Sequence, residues 1–271
     1  MLSISGNDVG FGNLAKACLL GVISGCDGYI QAAQQKVADA GEPAQTFYNT
    51  LKQVYERILD HSTEPGTSLI VTGYTEFFNE YSSLCNTKKF VTGNAASRLL
   101  TQDLRATLNV ITRRLNNKIK QAVQEIHNDF STRTPRRNAF FYDINEQYVT
   151  HRFCDFDENG NQRTRWKGDA WIHSLWTKDI NPDGTVVDFE TNPQGAVDLR
   201  TVDTNNCASW ASDEDEREAL CGLAKFVQAN PSISGPSDED NNSNWIITAR
   251  NPKQAFHPKS IGHHVSQLRS R

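Results

Sequence analysis

Residues 97–128 constrain the fold most. Leu100, Leu104, Leu108, Ile111, Leu115, Ile119, Val123 and Ile126 recur there at three-to-four spacing, which predicts one long amphipathic helix. Two short, continuously apolar runs flank it, SLIVTG at 68–73 and NAFFYDI at 138–144. Runs of that length, bounded by turn residues, read as buried strands. Residues 1–6 form a third such run, which stops at Gly6-Asn7-Asp8. Helices are expected near 11–23 and over 43–61, the second with Phe47, Leu51, Val54, Tyr55, Ile58 and Leu59 on one face and Pro43 in its first turn. Strands alternating with helices across such separations require parallel pairing, because the chain must cross back over the sheet each time. The expected fold class is α/β, a parallel sheet with flanking helices, in a single domain over 1–271.

The pattern changes after about residue 150. Residues 151–245 are rich in Asp, Asn, Gly and Trp and have little periodicity. They read as a long irregular excursion covering one end of the sheet, with NPSISGPSDEDNNSN at 230–244 as a solvated loop. A last helix is expected from about Ser260, turning Ile261, Val265 and Leu268 inward.

The chain has 271 residues, 37% hydrophobic and 22% charged, enough for a real core. A net charge of −4 gives no electrostatic case for binding nucleic acid or an anionic membrane. No apolar run approaches the length of a transmembrane helix. The six cysteines (Cys18, Cys26, Cys85, Cys154, Cys207, Cys221) include no CxxC and are too scattered for a zinc site. Disulfides in an oxidising compartment are the reading preferred over buried thiols. Cys18–Cys26 is the most plausible local bridge, since it closes a short loop. The sequon Asn241-Asn242-Ser243 also fits an exported protein. The chain is expected to be secreted and monomeric.

Two stretches at opposite ends carry the chemistry. Gly6-Asn7-Asp8 follows a strand, and His257-Pro258-Lys259-Ser260-Ile261-Gly262-His263 precedes a helix. In open parallel sheets ligands bind beyond the carboxyl ends of the strands, where both stretches would project. Alone, each has a plain structural reading: Asn7 as a turn residue tolerant of left-handed geometry, His257 as a surface histidine, and His263 as a packing residue.

Together, S-x-G-N-D-V-G-F near the front and F-H-P-x-x-x-G-H near the end resemble the SGNH (GDSL-type) hydrolases. VTGYTEFFNE at 71–80 and THRFCDF at 150–156 are similar to stretches of the secreted fungal and actinobacterial branch, in the same order. The resemblance implies a three-layer parallel sheet of flavodoxin-like order 2-1-3-4-5, with residues 1–6 as the third strand. It implies carboxylic ester hydrolysis without a cofactor, on a lipid, short-chain or polysaccharide ester. A serine on a Gly-Asp-Ser turn attacks the ester carbonyl, and His257 serves as its base. Asn7 supplies a side-chain amide to the oxyanion. Gly262 and His263 are motif residues in support.

The departures are specific. The sequence contains neither Gly-Asp-Ser nor G-x-S-x-G. Ser5 stands where the Gly-x-Asn-Asp pattern has its first glycine. Gln254 stands where an Asp often precedes the base, which implies a Ser–His pair rather than a triad. No basic segment leads into an apolar one at the start. The expectation is an N-terminally truncated chain, lacking the signal peptide, the nucleophile and the first two strands, and inactive as it stands. The alternative is a non-catalytic extracellular binding or structural protein that keeps the fold.

DINPDGTVVDFE fits EF-hand spacing at Asp179, Asn181, Asp183, Gly184 and Glu190. TNPQG follows directly and leaves no room for an exit helix, so an Asp/Gly-rich hairpin turn is preferred and no metal site is assigned. Trp166, Trp171 and Trp176, with His173, are read as core residues rather than a binding cleft. His151-Arg152-Phe153-Cys154 is read as structural, through a disulfide at Cys154.

Overall fold

The chain runs first through α1 (Gly6–Val9) and α2 (Phe11–Leu14), which passes directly into a π-helical turn, Ala15–Leu20. The structure, a computed structural model, describes residues 2–155 apart from 63, 65 and 91–96, together with 197–198, 201–206, 221, 224–225, 228–229 and 248–249. Every residue of the π-helical turn is buried, and Gly21, at φ 67°, ends it in the left-handed region that suits glycine. Next come α3 (Cys26–Lys36) and α4 (Glu42–Asp60). β1 (Ser68–Thr72), α5 (Gln102–Phe130) and β2 (Asn138–Tyr142) complete the central unit. Two short strands, β3 (Val197–Asp198) and β4 (Thr248–Ala249), pair antiparallel.

β1 and β2 pair in parallel, Ser68 opposite Asn138 through Thr72 opposite Tyr142, and α5 lies between them in sequence. Leu2 adds a parallel bridge on β1 at Val71. Its N–H donates to Ile70 O at 2.8 Å, and its C=O accepts from Thr72 N at 2.9 Å. The spatial order is therefore Leu2, β1, β2, all parallel, as the alternation of strands and helices implies. The expected strand over 1–6 shrinks to the single pairing residue Leu2, because Ser5 turns left-handed at φ 93° and Gly6 opens a helix.

α5 starts at Gln102 rather than 97, capped by Thr101, whose hydroxyl accepts from Leu104 N at 3.3 Å. Its apolar stripe is buried as expected, from Leu104 and Leu108 through Ile119 to Phe130. Each such side chain contributes roughly 1.5–3 kcal/mol of burial. Leu100 is buried too, but it precedes the helix, and its N–H donates to Lys88 O at 2.8 Å. α4 buries Ala44, Phe47, Tyr48, Leu51, Tyr55 and Leu59. Ile58, expected inside, is 39% exposed, because the buried face runs through Ala44, Tyr48, Leu51, Tyr55 and Leu59. α3 was not expected: it carries a glycine, Gly28, near its start, and only Cys26 and Ala33 are buried in it.

Cys18 pairs with Cys26, as the short loop suggests, and Cys85 with Cys154. Cys221 is disulfide-bonded as well, and no described cysteine is free. No helix among the described residues is long and apolar enough to cross a membrane.

Candidate functional site

Both Asn7 and Tyr74 lie just past the carboxyl ends of parallel pairing residues, Asn7 beyond Leu2 and Tyr74 beyond β1. That rim is where open parallel sheets place ligands. Asn7 is exposed in the first turn of α1, and Val9 beside it is buried and anchors the turn. The turn closes on itself through Gly10 N–H to Asn7 O at 2.8 Å and Val9 N–H to Ser5 O at 3.2 Å. Lys36 on α3 donates its ammonium to the Asp8 carbonyl.

Tyr74 fixes the turn from below. Gly6 N–H donates to its hydroxyl at 2.8 Å. A Cβ on Gly6 would meet the Tyr74 ring at 3.2 Å, so the close approach favours glycine there. The Ser5 hydroxyl turns back and donates to the Ile4 carbonyl. Burial pushes the phenol above its usual pKa, against the lowering effect of Gly6, Ser3 and Ser5, so it stays protonated at neutral pH.

Tyr74 is itself held by Asn116 on α5. Its N–H donates to Asn116 Oδ1 at 2.8 Å, and its C=O accepts from Asn116 Nδ2 at 2.7 Å. At the neighbouring Gly73, a Cβ would come within 3.0 Å of Asn116 Oδ1 and of the Phe141 ring. The VTGY run is thus explained locally: glycine lets the helix amide reach the backbone.

The same helix holds the whole segment after β1, which between Gly73 and Ser82 has no helix or extended strand. Asn109 Nδ2 donates to Phe78 O at 2.7 Å and to Glu80 Oε2 at 3.1 Å. Arg105 is fully buried and donates to the carbonyls of Leu100 (2.9 Å), Ser82 (2.5 Å) and Asn79 and to Asn86 Oδ1 (2.9 Å). Burial lowers its pKa, and the nearby Glu80 opposes this. Arg105, Asn109, Thr112 and Asn116 recur at three-to-four spacing, forming a buried polar stripe alongside the apolar one. Sequence reasoning missed all four, although that spacing was their signal.

Glu76 is buried between two guanidinium groups, Arg113 and Arg152, each at 3.2 Å. Asn145 also serves it, accepting from Glu76 N at 2.9 Å and donating to Oε1 at 3.1 Å. A buried carboxylate needs such compensation. Arg152 comes from the HRFC stretch, whose Phe153 and Cys154 are structural, as expected. Phe153 is buried against Phe78 and Phe90, and bridges Phe78 in parallel. Cys154 closes the disulfide to Cys85.

His257, Gly262 and His263 lie outside the described residues, as do the Asp179–Glu190 loop, Trp166, Trp171, Trp176 and His173. Among the described residues, no group of three or more His, Cys, Asp or Glu could hold a metal ion. A depression of about 350 Å³ lies elsewhere, lined by Ala17, Gly21–Cys26 and Arg98. The Arg98 guanidinium there is already engaged by both oxygens of Asp27, at 2.8 and 2.6 Å.

No family model matches the chain, and neither does any curated protein. Solved structures similar to it include two from Streptomyces. Phospholipase A1 from Streptomyces albidoflavus NA297 is 21% identical with a TM-score of 0.42, the match covering 64% of this chain and 56% of that one. The extracellular lipase from Streptomyces rimosus is 22% identical with a TM-score of 0.42, again over 64% and 56%. The chain therefore matches little more than half the length of either.

Proposed function

We propose that the chain carries part of a secreted carboxylic ester hydrolase of the SGNH type. The observation that supports this most directly is the place of Asn7: an exposed carboxamide on a braced turn at the carboxyl rim of a parallel sheet. A neutral NH2 there suits the developing negative charge of a tetrahedral intermediate. His257 is the base, and His263 and Gly262 support it. The nucleophilic serine comes from outside residues 1–271, in which no Gly-Asp-Ser occurs. The substrate is an ester of a lipid, a short-chain acid or a polysaccharide. The remaining strands of a three-layer sheet ordered 2-1-3-4-5 are part of the same proposal.

The test is hydrolysis of p-nitrophenyl esters by the native gene product. Turnover is expected, and Asn7→Ala or His257→Ala should lower kcat, the former by about 100- to 1000-fold. A product that turns over no ester favours the second reading, an extracellular binding protein of the same fold, to which the missing Gly-Asp-Ser points.

A further inference from the structure

We infer that Tyr74 is a positioning residue for the Asn7 carboxamide, and that Asn116 is the fixture that sets Tyr74. This inference rests on the ester-hydrolase reading and adds to it a residue that touches no reacting atom.

Tyr74 is well placed to hold the turn because it is constrained from three directions. Its backbone is pinned on both sides by the Asn116 carboxamide, at 2.8 and 2.7 Å. Its hydroxyl accepts from Gly6 N–H at 2.8 Å, one residue before Asn7. Its ring fills the space beside Gly6 that a Cβ would need. A single phenol thus holds the residue that opens the turn, and α5 sets where that phenol sits.

An oxyanion donor works only if it already points at the place where charge develops, and small displacements are costly. The Asn7 side chain is exposed, so its aim depends on its backbone. That backbone leaves an unfavourable left-handed serine at φ 93° and enters a helix only four residues long, which cannot hold its own geometry. Without the phenol, Gly6 loses its hydrogen bond and the turn can rotate about Ser5. The expected loss is therefore in transition-state stabilisation rather than in substrate binding.

The test is a double-mutant cycle in the native gene product, with p-nitrophenyl acetate as substrate. Tyr74→Phe keeps the ring and removes only the hydroxyl. It should lower kcat about 10-fold with KM unchanged, and Gly6 amide exchange should quicken in the same variant. Asn7→Ala should lower kcat about 100- to 1000-fold. Once the amide is gone its aim no longer matters, so the double variant should be no slower than Asn7→Ala alone. An unchanged kcat in Tyr74→Phe, losses that multiply in the double variant, or a change confined to KM would each overturn the positioning role while leaving the ester-hydrolase reading intact. A full-rate Asn7→Ala, or no ester turnover by the parent, sinks that reading and this inference with it. Should Tyr74→Phe fail to fold, Gly6→Ala, whose Cβ would meet the Tyr74 ring at 3.2 Å, takes its place in the cycle, with a fall of about 3-fold expected and an unchanged kcat overturning the role.

Discussion

Asn116 grips Tyr74 through both faces of its peptide backbone, donating to the carbonyl at 2.7 Å and accepting from the amide at 2.8 Å. A side-chain amide thereby stands in for a neighbouring strand just where β1 ends. Replacing it with an apolar residue leaves two poorly hydrated backbone groups without partners. Asn116→Leu should destabilise the fold by about 3 kcal/mol in chemical denaturation. Asn117→Ala, exposed on the next position, should change it by no more than about 0.5 kcal/mol. Equal effects at the two positions would contradict the clamp.

Ser5 occupies left-handed backbone at φ 93°, ψ −5°, where a Cβ is unfavourable. Ser5→Gly should raise stability by about 1 kcal/mol, read as a higher Tm. Ser5→Ala keeps the strain and should give no gain. A lower Tm for the glycine variant would mean that the Ser5 hydroxyl's bond to the Ile4 carbonyl outweighs the strain.

The two described disulfides close loops of very different length, with sequence separations of 8 and 69. By chain entropy, removing Cys18–Cys26 should cost about 2.5 kcal/mol and removing Cys85–Cys154 about 4 kcal/mol. Paired Cys→Ser variants compared by denaturant midpoint check the order. The reverse order would show that the shorter bridge, which starts within the buried π-helical turn, constrains more than its own loop.

Lys52 and Glu125 join α4 to α5 at 2.8 Å. The hydrogen bond to Lys52 holds the Glu125 carboxyl below its ordinary 4.5, and the bond to Glu125 holds Lys52 above its ordinary 10.5. Glu125 is the depressed group, so its contribution is complete above pH 4.5 and is lost as pH falls through its lowered value. Lys52 is the raised group, so its contribution is complete below pH 10.5 and is lost as pH rises through its raised value. Stability of Lys52→Met relative to the parent should therefore differ across neutral pH and converge at both extremes. High salt should shrink the difference, since the pair is partly exposed. A gap unchanged at acid pH would rule the pair out as its source.

The parallel α/β frame was legible because α4, β1, α5 and β2 each follow one simple period. Where the period was broken, reading failed. Gly28 and a polar surface hid α3, and Ser5 ended the first strand after a single pairing residue. Leu100 fits the heptad-like spacing of α5, yet packs from the peptide before it. The candidate turn was legible through Asn7, but its supports were not. Polar residues on a helix ordinarily face water, so Arg105, Asn109 and Asn116 read as solvated surface. Their buried role depends on a segment with no regular structure, which only tertiary packing brings within reach.

Glu76, wedged between Arg113 and Arg152, ties the peptide after β1 both to the long helix and to the peptide after β2. The Cys85–Cys154 bridge locks the same two peptides farther along. Shifting this part of the rim would mean parting two ion pairs and straining a covalent link at once. Two non-covalent ties and one covalent one thus make a single stiff edge out of two segments that have no regular structure of their own.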